Sequence, residues 1–87
     1  MRIENRSSTT VIYEIKAGTP RMTMSTCELE PGESEEWRSR YRRHVGVAAV
    51  EVHVREQEGG AARVIHADDD ATVLIEDSGP GWALRVG

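Results

Sequence analysis

Phenylalanine is absent from this chain, and its large aromatics are only Trp37, Trp82, Tyr13 and Tyr41. The core must therefore be built mainly from valine, isoleucine, leucine, methionine and alanine, and each ring marks a place worth locating. Cysteine is scarce too. Cys27 stands alone, which excludes an internal disulfide and suits a reducing compartment. It reads as an inert, half-buried thiol rather than a nucleophile. No apolar run approaches the length that spans a membrane, and Met1-Arg2-Ile3-Glu4-Asn5 lacks the apolar segment of a signal peptide. We therefore expect a cytoplasmic protein that does not insert into membranes.

Positive charge is also in deficit. Eleven Lys and Arg stand against 15 Asp and Glu, a formal net charge of −4. A general nucleic-acid binder carries a basic excess, so that class is set aside. Catalytic signatures are missing as well: there is no GxSxG, P-loop, GxGxxG or HExxH, and no readable triad. The expectation is a protein that is not an enzyme and carries no cofactor.

With 87 residues there is room for one domain, residues 1–87, and one core, because so short a chain buries only roughly 60% of its unfolded surface. No stretch of helical period appears. Gly, Pro, Thr and Ser recur every eight to twelve residues or so, the spacing of short antiparallel strands. The expected strands cover 2–5, 10–17, 21–29, 34–42, 45–57, 61–67, 71–77 and 82–86. The fold class is all-β: a small antiparallel β-sandwich or flattened barrel of about seven to eight strands.

Hydrophobic phase sets the expected pairings, since a slip of one residue turns a strand's apolar side chains to the wrong face. A two-residue turn at Gly59-Gly60 places His53 opposite His66, Val54 opposite Ile65 and Val52 opposite Ala67. A turn over Ser78-Gly79-Pro80-Gly81 places Asp77 opposite Trp82, Ile75 opposite Leu84 and Val73 opposite Val86. If Asp68-Asp69-Asp70 closes the connection between these hairpins, with Ile65 facing Val73, the C-terminal half is a four-stranded meander. Glu30-Pro31-Gly32-Glu33 suits a type II turn, which would set Met22 against Tyr41, Met24 against Ser39 and Thr26 against Trp37. The phase change between Val45, Val47 and Val50, Val52, Val54 implies a bulge or a sheet crossing near Ala48-Ala49.

Three surface features invite function. On the outer face of the Gly59-Gly60 hairpin, His53, His66, Glu51 and Asp68 are candidate metal ligands, because directly opposed residues bring their Cβ atoms to about 5 Å. Glu51, Arg55, Glu56, Arg63 and Asp68 on the same hairpin also read as cross-strand ion pairs. Arg38, Arg40 and Arg42 line one strand face, with Arg43 beside them, and these guanidinium groups could grip an acidic partner, be neutralised locally by Glu28, Glu30, Glu33, Glu35 and Glu36, or protect a strand edge. Trp37 and Trp82 are candidate stacking platforms for a small ligand or sugar.

Ile3-Glu4-Asn5-Arg6-Ser7-Ser8, then Pro31-Gly32, then Val45-Gly46-Val47, resembles the strand and turn order of actinoporin-like and fungal fruit-body lectin sandwiches. Those families share a headgroup- or sugar-binding face rich in Tyr and Trp, where this chain has Asp68-Asp69-Asp70 and Trp82. The resemblance thus implies at most a sugar- or headgroup-binding module. The leading expectation is a non-catalytic binding or assembly module acting through a sheet face or strand edge, with a protein partner or a second copy of itself. A small-ligand domain on Trp37 or Trp82 comes next, and a metal site on His53 and His66 last.

Overall fold

The computed structural model of the chain describes residues 1–17, 22–37, 50–57, 59–68 and 70–87. They form eight strands: β1 (Arg2–Asn5), β2 (Val11–Ala17), β3 (Met22–Leu29), β4 (Ser34–Glu36), β5 (Val50–Arg55), β6 (Arg63–Ala67), β7 (Thr72–Ser78) and β8 (Gly81–Val86). No helix occurs among the described residues. The strands make two four-stranded sheets. Sheet A has the order β4-β1-β7-β8 and sheet B the order β3-β2-β5-β6.

Strict alternation builds the centre of sheet B. In β2, Val11, Tyr13, Ile15 and Ala17 are buried while Ile12, Glu14 and Lys16 are half-buried on the outer face; in β5, Val50, Val52 and Val54 are buried and Glu51, His53 and Arg55 lie outward. Sheet A contributes Ile3, Val73, Ile75 and Trp82 to the same core cluster. Each fully buried valine or isoleucine contributes roughly 1.5–3 kcal/mol relative to exposure. β7 departs from alternation, because Leu74 on its outer face is also buried. In register, Leu74 lies between Glu4 of β1 and Arg85 of β8, whose aliphatic stems can cover it while their charges stay in water.

The β7–β8 hairpin has the register that hydrophobic phase predicts, with Val73 opposite Val86, Ile75 opposite Leu84 and Asp77 opposite Trp82. The β5–β6 hairpin does not. His53 lies opposite Val64 and His66 opposite Glu51, while Val52 faces Ile65 and Val50 faces Ala67. The turn explains the change. Gly60 N–H donates to the Gln57 carbonyl at 3.0 Å, and Gly59 has φ of +78°, a conformation glycine adopts without steric cost. The turn therefore spans Gln57–Gly60, with its tip one residue earlier than a Gly59-Gly60 tip. Moving the tip by one residue moves every pairing by two, so each side chain keeps its face and changes its neighbour.

The expected C-terminal meander is corrected. β6 belongs to sheet B and β7 to sheet A, so Ile65 does not pair with Val73. The turn is present, with Ala71 N–H bonded to the Asp68 carbonyl at 3.1 Å, but it carries the chain between sheets. The Glu30–Glu33 turn behaves alike. Glu33 N–H donates to the Glu30 carbonyl at 3.0 Å and Gly32 has φ of +87°, as a type II turn requires. It nevertheless joins β3 of sheet B to β4 of sheet A. Thr26 accordingly faces Glu14 of β2 rather than Trp37, and Trp37 exchanges backbone hydrogen bonds with Met1. Tyr41, Ser39 and the Val45–Ala49 phase change lie outside the described residues. One pairing breaks the antiparallel pattern: β1 runs parallel to β7, strands far apart in sequence and so not bound to a hairpin geometry.

A buried polar corner joins the sheets. Asn5, 1% exposed at the end of β1, donates through Nδ2 to the carbonyls of Thr9 (2.8 Å) and Leu29 (3.0 Å). Its Oδ1 accepts from the Ser7 N–H (3.0 Å) and Ser7 Oγ (2.6 Å). Every polar atom of the buried amide is thereby satisfied.

Candidate functional site

The outer face of sheet B gathers the charged residues of β2, β5 and β6. His53, His66 and Glu51 do meet there, through Glu51. His53 Nε2 lies 3.0 Å from Glu51 Oε1 and His66 Nε2 lies 3.5 Å from Glu51 Oε2. One carboxylate thus bridges two imidazoles, His66 directly opposite and His53 two residues along its own strand. Asp68 lies beyond the end of β6 and is exposed. Among the described residues, no group of three or more His, Cys, Asp or Glu side chains is arranged to hold a metal ion.

Of the ion pairs expected across the β5–β6 hairpin, that of Arg55 is corrected by the order of the sheet, while Glu51 does reach across to His66. β2 is the other neighbour of β5, and Arg55 pairs its Nη2 with Glu14 of β2. The Arg55 Nε is buried and has no hydrogen-bond partner. Glu14 also accepts from Thr23 Oγ1 at 3.4 Å and lies 4.0 Å from Lys16 Nζ. The signal for Glu14 is its outward phase in β2, but only knowledge that β2 adjoins β5 makes it a partner for Arg55.

Trp82 is a core residue, 4% exposed. Its indole N–H donates to Glu56 Oε1 at 2.7 Å, and the Arg63 guanidinium lies over its ring, 4.6 Å from the centroid. Glu56 and Arg63 are therefore engaged with Trp82 rather than with each other. Trp37 is half-buried against the core. The row Arg38, Arg40, Arg42 and Arg43 lies outside the described residues.

The strand edges distinguish themselves more sharply than any side-chain cluster. Among the described residues the two sheets present four edges: β4 and β8 in sheet A, β3 and β6 in sheet B. β4 is three residues long and carries Glu35 and Glu36, and a short, charged edge deters strand addition. β6 and β8 lie against each other, held where Arg63 of β6 covers Trp82 of β8. β3 is different: eight residues, Met-Thr-Met-Ser-Thr-Cys-Glu-Leu, with one charged side chain, Glu28, and no proline or glycine. Among the described residues it pairs with β2 alone. Met22 is 59% exposed and Met24 37%. A bulge at Met24 bends the start of the strand, since Ile15 pairs with Ser25 and Lys16 with Thr23, leaving Ser25–Leu29 as the regular stretch.

Searches with this chain find no matching protein-family model, no matching curated protein and no matching solved structure. Among the described residues no helix is long and apolar enough to cross a membrane.

Proposed function

We propose that this chain is a non-catalytic binding or assembly module that acts through the outer edge of β3. The observation that carries the reading is the contrast among the four edges that the described residues present: three are short and charged or lie against another strand, and the fourth is long and nearly uncharged. An edge strand presents a row of backbone donors and acceptors, a template to which another strand adds. The backbone supplies affinity in that mode. Alternate side chains, here Thr26 and Glu28 on one face and Ser25 and Cys27 on the other, supply specificity. The burial of Trp82 weighs against a sugar-stacking role for that ring.

A photo-crosslinking amino acid placed at Thr26 and, separately, at the exposed Ala62 tests this reading in cells producing the protein. Discrete adducts from position 26 and none from position 62 are expected. Absence of any discrete adduct at position 26, or equal adducts from both, overturns the reading.

A further inference from the structure

We infer that the strand added to β3 is the β3 of a second copy of this chain, paired antiparallel about a two-fold axis that passes by Cys27. The inference deepens the proposed edge function and rests on it. Ser25–Leu29 is the regular part of the edge, and Cys27 is its centre. In a two-fold antiparallel pair each residue meets the one equally far on the other side of the axis, and both point to the same face. Cys27 then meets Cys27 of the second copy, Ser25 meets Leu29, and Thr26 meets Glu28.

The chemistry of the strand suits that arrangement. Glu28, its single charge, falls opposite a threonine hydroxyl that can donate to the carboxylate, and this contact occurs twice. A parallel pairing in register would instead set Glu28 against Glu28, and like charges directly opposite are unfavourable. The antiparallel arrangement also keeps the acidic turn of each copy, Glu30 and Glu33, at the far end from its counterpart. Ser25 and Cys27 lie on the core-facing side, opposite Ile15 and Tyr13 of β2, and are small enough to let two edges approach. The two copies of sheet B would join into one sheet of order β6-β5-β2-β3-β3-β2-β5-β6.

Sedimentation equilibrium of the full chain, with T26E and T26K beside it, tests the inference. T26E sets carboxylate against carboxylate at both symmetric contacts and is expected to weaken dimerisation roughly tenfold; T26K sets ammonium against Glu28 and is expected to tighten it. Adding E28K to T26E should restore the dimer. Thr26 is exposed, and circular dichroism checks that each variant folds. If T26E does not fold, loss of the dimer in T26K overturns the inference by itself. A dimer indifferent to both substitutions overturns it as well. A monomer at all concentrations also overturns it, and hydrogen exchange then separates two failures: rapid exchange of the β3 amides directed away from β2 leaves the edge reading standing, whereas protection of those amides in the monomer removes both.

Discussion

The side-chain amide of Asn5, at the end of β1, donates to the backbone carbonyl of Leu29, at the end of β3, across 3.0 Å. That bond ties sheet A to sheet B at the point where the chain leaves the proposed edge. Asn5→Ala would strand the Leu29 carbonyl and the Ser7 N–H in a buried setting, while the Thr9 carbonyl keeps Ser7 Oγ at 3.0 Å. Each unsatisfied buried group costs on the order of 1–3 kcal/mol, and partial access of water lowers the sum, so a loss of about 3 kcal/mol is expected in urea unfolding. Asn5→Asp keeps the acceptor for Ser7 but points a carboxylate oxygen at two carbonyls, and should be at least as damaging.

The β5–β6 register is open to chemical proof. In a Cys27→Ser background, cysteines at positions 51 and 66 should form a disulfide on mild oxidation, because directly opposed residues have the required separation. Cysteines at 53 and 66, two residues out of register, should link slowly or not at all. Preferential linkage of 53 with 66 would show that the turn tip lies at Gly59-Gly60 after all.

Tyr13 governs stability in alkali. It is 3% exposed, and burial raises its phenol above the usual value, an effect partly offset by a hydrogen bond to Ser25. A raised folded value means that the stabilising contribution is complete below the ordinary tyrosine value of about 10 and is lost as pH rises through the folded value. Stability should therefore fall above about pH 10, and Tyr13→Phe should flatten that fall in urea titrations across the same range.

The ion pairs of sheet A act at the acid end. Hydrogen bonds from Arg2 and Arg85 hold Glu4 and Glu76 below the ordinary carboxylate range. Depressed values give a contribution present above the unfolded value and lost as pH falls through the folded one. Both carboxylates are half-buried but their arginine partners are exposed at the surface, so the effect is small and screened by salt. Glu76→Gln should lower the melting temperature slightly at neutral pH, and the difference from the parent should vanish in strong acid or at high salt.

Much of the fold is legible in the sequence because phase and turn chemistry are local. The bounds of β1, β2, β3, β7 and β8 agree within one residue with the alternation of Ile3, Val11, Tyr13, Ile15 and their like, and the β7–β8 register follows from its turn. What phase does not report is which sheet a strand joins. Ala67 and Val73 point into the same core whether β6 and β7 are neighbours or sit in different sheets, so the meander and the two-sheet arrangement read alike. The same ambiguity hides the β3 edge: a Thr26–Trp37 pairing would have covered it. A one-residue displacement of the Gln57–Gly60 turn was enough to turn an opposed His53–His66 pair into two imidazoles bridged by Glu51. The Asn5 corner has a faint local signal, an Asx-type Asn-x-Ser just past a strand, but its partner Leu29 lies 24 residues away.

Isotope-filtered NOE spectroscopy on an equal mixture of labelled and unlabelled chain addresses the central claim, that β3 is the surface through which this protein acts and that its partner is another β3. Intermolecular contacts confined to Ser25–Leu29 and symmetric about Cys27 are expected. Intermolecular contacts arising from β4 or β8, or none at all in a sample concentrated enough for the measurement, would contradict it.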